Sequence, residues 1–195
     1  MTAISPLQHI HKKGIFGDHH KQNESDLLNI SEVKNLTIVQ IVQYKKSKID
    51  LNNLKIDGLE FPSHNLNSTS KENTRILNIA PKTWLLVSSN ENIEKKINET
   101  CDKENFAITD ISHSRAVIQI KGKHAKEILK KGCPININKF EKNNCAGTIF
   151  HGIAFIIDFV DNNPDQFNLL TLRSFGESFY HHVTDAALEY GYVGI

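Results

Sequence analysis

The sequence has few cysteines and no long apolar run. Its three cysteines, Cys101, Cys133 and Cys145, are widely spaced and form no C-x-x-C pair. An odd number of isolated cysteines is not typical of a disulfide framework or a zinc site, so we predict buried, reduced thiols. No stretch approaches the roughly 20 apolar residues that cross a bilayer, and no apolar signal region follows Met1. We therefore expect a cytoplasmic protein that does not enter a membrane.

Neither sign of charge dominates, and arginine is scarce. The 23 Lys and Arg residues oppose 22 Asp and Glu residues, and the net charge of +1 favours neither nucleic acid nor a membrane surface. Only three of the basic residues are arginines: Arg75, Arg115 and Arg173. A guanidinium offers a planar fork of donors that lysine lacks. All three lie beside predicted strands, where they are able to anchor a carboxylate or a carbonyl; ordinary surface charge is the alternative.

Motifs for catalysis or cofactor binding are missing as well. The sequence contains no G-x-G-x-x-G, G-x-x-x-x-G-K-[ST] or G-x-S-x-G. Ser112-His113-Ser114 lacks a neighbour to orient the imidazole, and adjacent residues in an extended bend point to different sides. His181 and His182 would project roughly 100° apart on a helix, too far to chelate one metal. We therefore expect no catalytic residue, no cofactor-binding residue and no metal ligand on this chain.

The chain divides by composition into a polar tail and two structured parts. Residues 1–30 are polar, with four scattered histidines and no strand or helix period, which predicts a tail that is disordered unless a partner orders it. Residues 31–105 are predicted to form an N-terminal α+β subdomain around Trp84, the only tryptophan. Residues 106–195 are predicted to form a C-terminal α+β subdomain.

Apolar periodicity predicts both strands and helices. The predicted strands are 37–44, 75–79, 83–87, 106–110, 116–121, 145–150, 153–159 and 167–172. A helix over 123–131 is stopped by Gly132, and two more follow capping-box pairs, Ser88 with Glu91 and Ser174 with Glu177. Their apolar stripes are Ile93, Ile97 and Cys101, and Phe175, Phe179, Val183, Ala186, Ala187 and Tyr190. Hairpin-spaced strands with about three helices favour an α+β fold of two small ferredoxin-like subdomains with antiparallel or mixed sheets.

Five runs of sequence carry a resemblance to a known family. They are APKTWLLVS (80–88), TDISHSRAVIQIKGKHAKEILKKGCPINI (109–137), CAGT (145–148), LRSF (172–175) and DAALEYG (185–191). Together they resemble the gamma subunit of heterotetrameric sarcosine oxidase, from about Ile76 to the C-terminus. Residues 1–75 add little to the resemblance.

A more distant resemblance is to the first domain of folate-dependent aminomethyltransferases. It rests on the turn Asp110-Ile111-Ser112-His113 and on the helix start Gly122-Lys123-His124-Ala125. The resemblance implies an aminomethyltransferase-like α+β fold. Transfer chemistry is not implied, because this chain is too short to enclose folate between several domains and the strand over 153–159 is apolar where a folate site needs polar groups.

The resemblance to the gamma subunit implies an accessory role in a complex of four different subunits. That complex converts sarcosine to glycine with production of hydrogen peroxide and of formaldehyde or, with tetrahydrofolate, methylenetetrahydrofolate. FAD, FMN, NAD and zinc are implied on the other subunits and none on this chain. The implied partners are the alpha, beta and delta subunits, with direct contact to alpha.

For the interface we predict His113, Arg115 and Arg173, because a partly buried arginine makes bidentate contacts across subunits. The alternative is that the two arginines brace this chain's own loops. Two other functions stay open: a folate-binding aminomethyltransferase-like protein, and a scaffold subunit of a related methylated-amine dehydrogenase.

Overall fold

Runs of β-branched residues occur in several strands of the computed structural model, which describes residues 4–20 and 23–195. Within the segment TIVQIVQ, residues 39–43 alternate buried and half-buried side chains, as a strand with one covered face requires. Fourteen strands lie within the described residues. They are β1 Gly14–Phe16, β2 Leu28–Glu32, β3 Thr37–Gln43, β4 Lys55–Ile56, β5 Leu59–Glu60, β6 Ser68–Lys71, β7 Thr74–Ala80, β8 Thr83–Ser88, β9 Phe106–Asp110, β10 Arg115–Lys121, β11 Cys145–Phe150, β12 Ile153–Asn162, β13 Asp165–Leu172 and β14 Tyr192–Gly194.

Three α-helices complete the described structure: α1 Ile93–Thr100, α2 Ala125–Lys130 and α3 Gly176–Ala187. A seven-stranded sheet has the order β1-β14-β2-β10-β13-β12-β11, and its β14 pairs with β2 in parallel. A five-stranded antiparallel sheet has the order β6-β7-β8-β3-β9, and β4 and β5 form a small hairpin. The prediction of an α+β fold with about three helices and antiparallel and mixed sheets is confirmed.

Contacts divide the chain into two compact units. The first unit holds residues 1–34, 114–142 and 147–195, and the second holds residues 35–113 and 143–146. This division differs from the contiguous ranges 31–105 and 106–195 expected from composition, because β2 hydrogen-bonds to β10 and so joins residues before position 35 to the first unit. In the second unit Trp84 is 2% exposed within a core that also holds Phe61 and Phe106, as predicted.

The described part of the N-terminal tail is structured, which corrects the sequence prediction. Gly14–Phe16 pairs with Tyr192–Gly194, and Leu7, Leu27 and Leu28 are buried. The prediction for residues 1–3 and 21–22 lies outside the described residues. The pairing of β1 with β14 joins segments that are far apart in the sequence, so the periodicity of neighbouring residues does not predict it.

Neither predicted capping box forms. Helix α1 begins at Ile93, because Ser88 is fully buried at the end of β8, where its Oγ lies 2.8 Å from Thr74 Oγ1 and accepts from the Asn90 amide. Helix α3 begins at Gly176 without a side-chain cap. The apolar stripe of α1 is buried as predicted, and so is that of α3 from Phe179 to Ala187.

Candidate assembly surface

The turn between β9 and β10 is built by Asp110 and Ser112. The Ser112 amide donates to Asp110 Oδ1 at 2.8 Å, and the Ile38 amide donates to Ser112 Oγ at 2.9 Å. The Ser112 hydroxyl also donates to Asp110 Oδ1. This bond is the largest cause, and the bond from the Ser112 amide the next, that hold the pKa of the Asp110 carboxyl below its usual range. His113 stands exposed on this turn, on a 3-10 helix over Ser112–Ser114. The prediction that this motif defines a turn and the strand after it is confirmed.

Arg115 begins β10, and its side chain is half-buried. Its Nε is buried and has no hydrogen-bond partner among the described residues. Burial also lowers the pKa of the guanidinium, since the charged form loses hydration. Arg115 lies opposite Leu172 in the β10–β13 pair. Directly opposed residues project from the same face of a sheet, so the two side chains are neighbours.

Arg173 follows β13 and contacts the N-terminal segment. Its Nη2 donates to the backbone carbonyl of Ile4. Gly176, three residues later, packs closely: a Cβ there would lie 3.0 Å from Ala116 Cβ, which is tighter than an ordinary contact, and 3.6 Å from Pro6 Cβ. This close packing fixes the start of α3 against β10 and places the segment 4–7 beside it.

Three residues linked to Arg173, two of them close to it in sequence and Ile4 through its backbone carbonyl, have exposed apolar side chains, and we call them the Leu172 patch. Ile4 is 64% exposed, Leu172 is 41% exposed and Phe175 is 47% exposed. Phe175 was predicted to join the buried stripe of α3; instead it precedes the first helical residue and lies outside that stripe. Large apolar residues grouped on a surface mark contact sites more often than isolated ones do.

Of the three predicted interface residues, the structure brings two to this patch. Arg115 neighbours Leu172, and Arg173 lies between Leu172 and Phe175 and bonds to Ile4. His113 belongs to the second unit. Leu172, Phe175 and Ile4 were not predicted as interface residues. A signal existed, since Leu172 and Phe175 flank Arg173 just before a helix and lie within one of the runs that resemble the family.

The cysteine thiols are buried. Burial raises the pKa of both Cys101 and Cys133 to about 12, so neither thiol ionises near neutral pH. All three cysteines are reduced and buried. The imidazole of His182 stacks on His151 with ring centroids 5.1 Å apart.

Among residues 4–20 and 23–195, no group of three or more His, Cys, Asp and Glu side chains has the arrangement of a metal site. No helix in the described part of the chain is long and apolar enough to span a membrane.

The comparisons with known proteins agree with this architecture. One chain of the heterotetrameric sarcosine oxidase from Corynebacterium sp. U-96, solved in complex with pyrrole 2-carboxylate, superimposes with a TM-score of 0.79 at 21% identity. The match covers 96% of this chain and 95% of that one. The glycine cleavage system aminomethyltransferase T from Bartonella henselae matches with a TM-score of 0.58 at 10% identity, over 80% of this chain and 45% of that one. These two matches establish the fold.

The sequence itself matches the profile of the sarcosine oxidase, gamma subunit family over residues 52–189. A search of curated protein sequences gave no significant match. The family match begins before Ile76, where the sequence analysis placed the start of the resemblance, and it includes β4 to β6. It also includes Arg115, Leu172 and Arg173. Because the profile covers well over half of its length, this chain belongs to the sarcosine oxidase, gamma subunit family.

Proposed function

We propose that this chain is an accessory subunit that assembles with the alpha, beta and delta subunits of a heterotetrameric sarcosine oxidase in the cytoplasm. Its role is structural, and its direct contact is with the alpha subunit. Membership of the gamma subunit family and the fold shared with a chain of a heterotetrameric sarcosine oxidase support this proposal. The reaction of the whole complex is sarcosine demethylation to glycine, with hydrogen peroxide and formaldehyde or methylenetetrahydrofolate as further products. FAD, FMN, NAD and zinc are proposed to reside on the other subunits.

The Leu172 patch is the observation that carries the proposed contact. Exposed leucine and phenylalanine side chains gain free energy when a partner covers them, about 25 cal/mol for each Å² of apolar surface removed from water. Arg115 and Arg173 border these side chains, and arginine beside aromatic residues is typical of the residues that dominate protein interfaces. An acceptor on the alpha subunit would offset the desolvation that the Arg115 guanidinium suffers in the isolated chain.

A double variant of the patch tests this contact. We expect Leu172→Ser/Phe175→Ser to weaken binding to the alpha subunit at least tenfold, which corresponds to about 1.4 kcal/mol. The matched control is Ile149→Ser/Leu188→Ser, because these side chains of the same unit are 44% and 43% exposed and lie outside the patch. The measurement is the dissociation constant by isothermal titration calorimetry or biolayer interferometry.

If the patch variant and its control weakened binding to the alpha subunit equally, the Leu172 patch would not be part of the interface. If the wild-type chain ignored all three oxidase subunits, the proposed function itself would fail. Circular dichroism melts of each variant show whether the isolated chain stays folded, which both variants should do because the replaced side chains are already exposed.

The aminomethyltransferase-like fold gives the folate alternative a specific test. A free-standing folate-binding protein would bind tetrahydrofolate tightly at one site, whereas we expect no saturable binding to the isolated chain. A scaffold role in a related methylated-amine dehydrogenase is separated by the substrate preference of the reconstituted complex. Sarcosine should be oxidised faster than dimethylglycine or other methylated amines.

A further inference from the structure

A cleft of about 870 Å³ opens on the second unit. Two loops wall it: the loop that follows β3 and the loop that precedes β9. Lys46 and Lys48 line it from the first loop, and Lys103 and Glu104 line it from the second. Tyr44, 37% exposed, also contributes to the wall.

Hydrogen bonds hold the two loops to each other. The Tyr44 amide donates to the Asn105 carbonyl at 2.8 Å, and Ser47 Oγ donates to Asn105 Oδ1 at 2.6 Å. The side-chain amide of Gln43, only 7% exposed, donates to the Ile49 carbonyl at 3.2 Å. Asp102 accepts from the backbone amides of Glu104 and Asn105, both at 2.9 Å. These hydrogen bonds therefore fix the backbone of the two lysine-bearing loops in the absence of a partner.

The cleft has an excess of positive charge. Lys46, Lys48 and Lys103 are exposed and form no ion pair with the described residues, whereas many other lysines of the chain do. Glu104 is the carboxylate of the lining, and the nearby Asp102 carboxylate is occupied by backbone amides and by the Asn105 side chain. The net charge of the whole chain is only +1, so this excess of positive charge is confined to the cleft and does not reflect a basic protein.

We propose that this cleft receives an acidic segment of a partner polypeptide in the oxidase complex, a proposal that rests on the proposed function. Lysines are flexible point charges, and none of the residues that line the cleft is a buried polar group of the kind that a small-molecule site requires. A lysine cluster of this kind favours an extended acidic surface. It attracts that surface over a distance and provides complementary charge once the two are in contact. Tyr44 adds an amphipathic side chain of the kind enriched at protein interfaces.

The test is the association rate of this chain with the assembled alpha, beta and delta subunits at low and at high sodium chloride. Lys46→Glu/Lys103→Glu changes one lysine on each wall, and we expect it to lower the association rate constant about tenfold at low salt and to flatten its salt dependence. The matched control is Lys71→Glu/Lys82→Glu, which makes the same charge change on the same unit at two exposed lysines that lie outside the cleft and have no ion pair among the described residues. This control should change the rate less than about twofold.

Equal effects of the two variants, or no effect of the cleft variant, would overturn the inference and leave the proposed function standing, provided that the wild-type chain assembles. Failure of the wild-type chain to assemble would overturn both. Saturable binding of inorganic phosphate to the isolated chain, lost in Lys46→Glu/Lys103→Glu, would identify a small-anion site instead and overturn the acidic segment. Circular dichroism melts of both variants should match the wild type, since all four lysines are exposed.

Discussion

Arg115 and Arg173 differ in what their guanidinium groups contact, although both lie beside Leu172. Arg173 donates to the Ile4 carbonyl and so braces the N-terminal segment within its own unit. Arg115 has a buried Nε without a partner among the described residues, and its charge is partly desolvated. A buried donor without an acceptor costs about 1–3 kcal/mol. The two arginines, which the sequence analysis treated alike, therefore have different expected roles.

Substitution of each arginine should separate these roles. Arg115→Met keeps the apolar stem and removes the desolvated charge, so we expect the melting temperature of the isolated chain to stay level or rise. Its binding to the alpha subunit should weaken about tenfold. Arg173→Ala removes a hydrogen bond worth about 0.5–1.5 kcal/mol, which lowers the melting temperature by a few degrees in a chain of this size.

The measurements are a thermal melt and a dissociation constant for each variant, with Arg173→Lys as the conservative control. A large fall in the melting temperature of Arg115→Met, with unchanged binding, would show that Arg115 is an internal brace.

The residues of the candidate surface could be predicted only in part. Scarcity of arginine drew attention to Arg115 and Arg173, and the register of β10 against β13 places them on either side of Leu172. Exposure of Phe175 depends on where α3 begins, and Gly176, the first residue of that helix, packs closely against Ala116. Tertiary contacts of this kind leave no periodic trace in the sequence, so the apolar members of the patch were missed.

At the scale of elements, two cysteines lie at the ends of helices. Cys101 is the C-terminal cap of α1, and Cys133 follows α2 and donates its amide to the Leu129 carbonyl. The negative end of a helix disfavours a thiolate, as the sequence analysis expected for Cys133, and burial is the largest cause in both cases. Both thiols have a pKa of about 12 in the folded chain against a usual value of 9.0.

These thiols predict a loss of stability in alkali. Below pH 9.0 they are protonated in both states, so their contribution is complete there; as the pH rises from 9.0 toward about 12, only the unfolded chain loses these protons. At a pH about one unit above 9.0, each thiol should lower the free energy of unfolding by about 1 kcal/mol. Urea unfolding across this range measures the effect.

The control for the alkaline effect is Cys101→Ala/Cys133→Ala. Its free energy of unfolding should fall less steeply with pH than that of the wild type, whatever its stability at neutral pH. Parallel pH profiles for the two proteins would contradict the assignment to these thiols.

Most of the long elements could be predicted from periodicity, and the short ones could not. Strands β9 and β11 have the predicted limits, and β3, β7, β8 and β10 end within one residue of theirs. The Ser88–Glu91 capping box does not form because Ser88 is buried at a strand end, where its hydroxyl bonds to Thr74 and Asn90. Strands β1, β2 and β14 are short and depend on one another across the chain, so local patterns do not show them.

At the scale of the whole molecule, strand pairing explains why each unit is made of separate segments of the chain. The chain forms part of the first unit, then the second, and returns to complete the first. Composition along the sequence predicts contiguous domains and does not show that a later segment completes an earlier unit. The family and the overall fold class were nevertheless predictable, because the runs that carry the family resemblance occupy the strands and helices of both units.

The central claim is that this chain is an integral subunit of a sarcosine oxidase. The most direct test is to co-express it with the alpha, beta and delta subunits from the same source and to measure the mass of the purified assembly by native mass spectrometry. The account predicts a complex that contains one copy of this chain beside the three others. A stable assembly of alpha, beta and delta that excludes this chain, with the chain recovered as a free monomer, would contradict it.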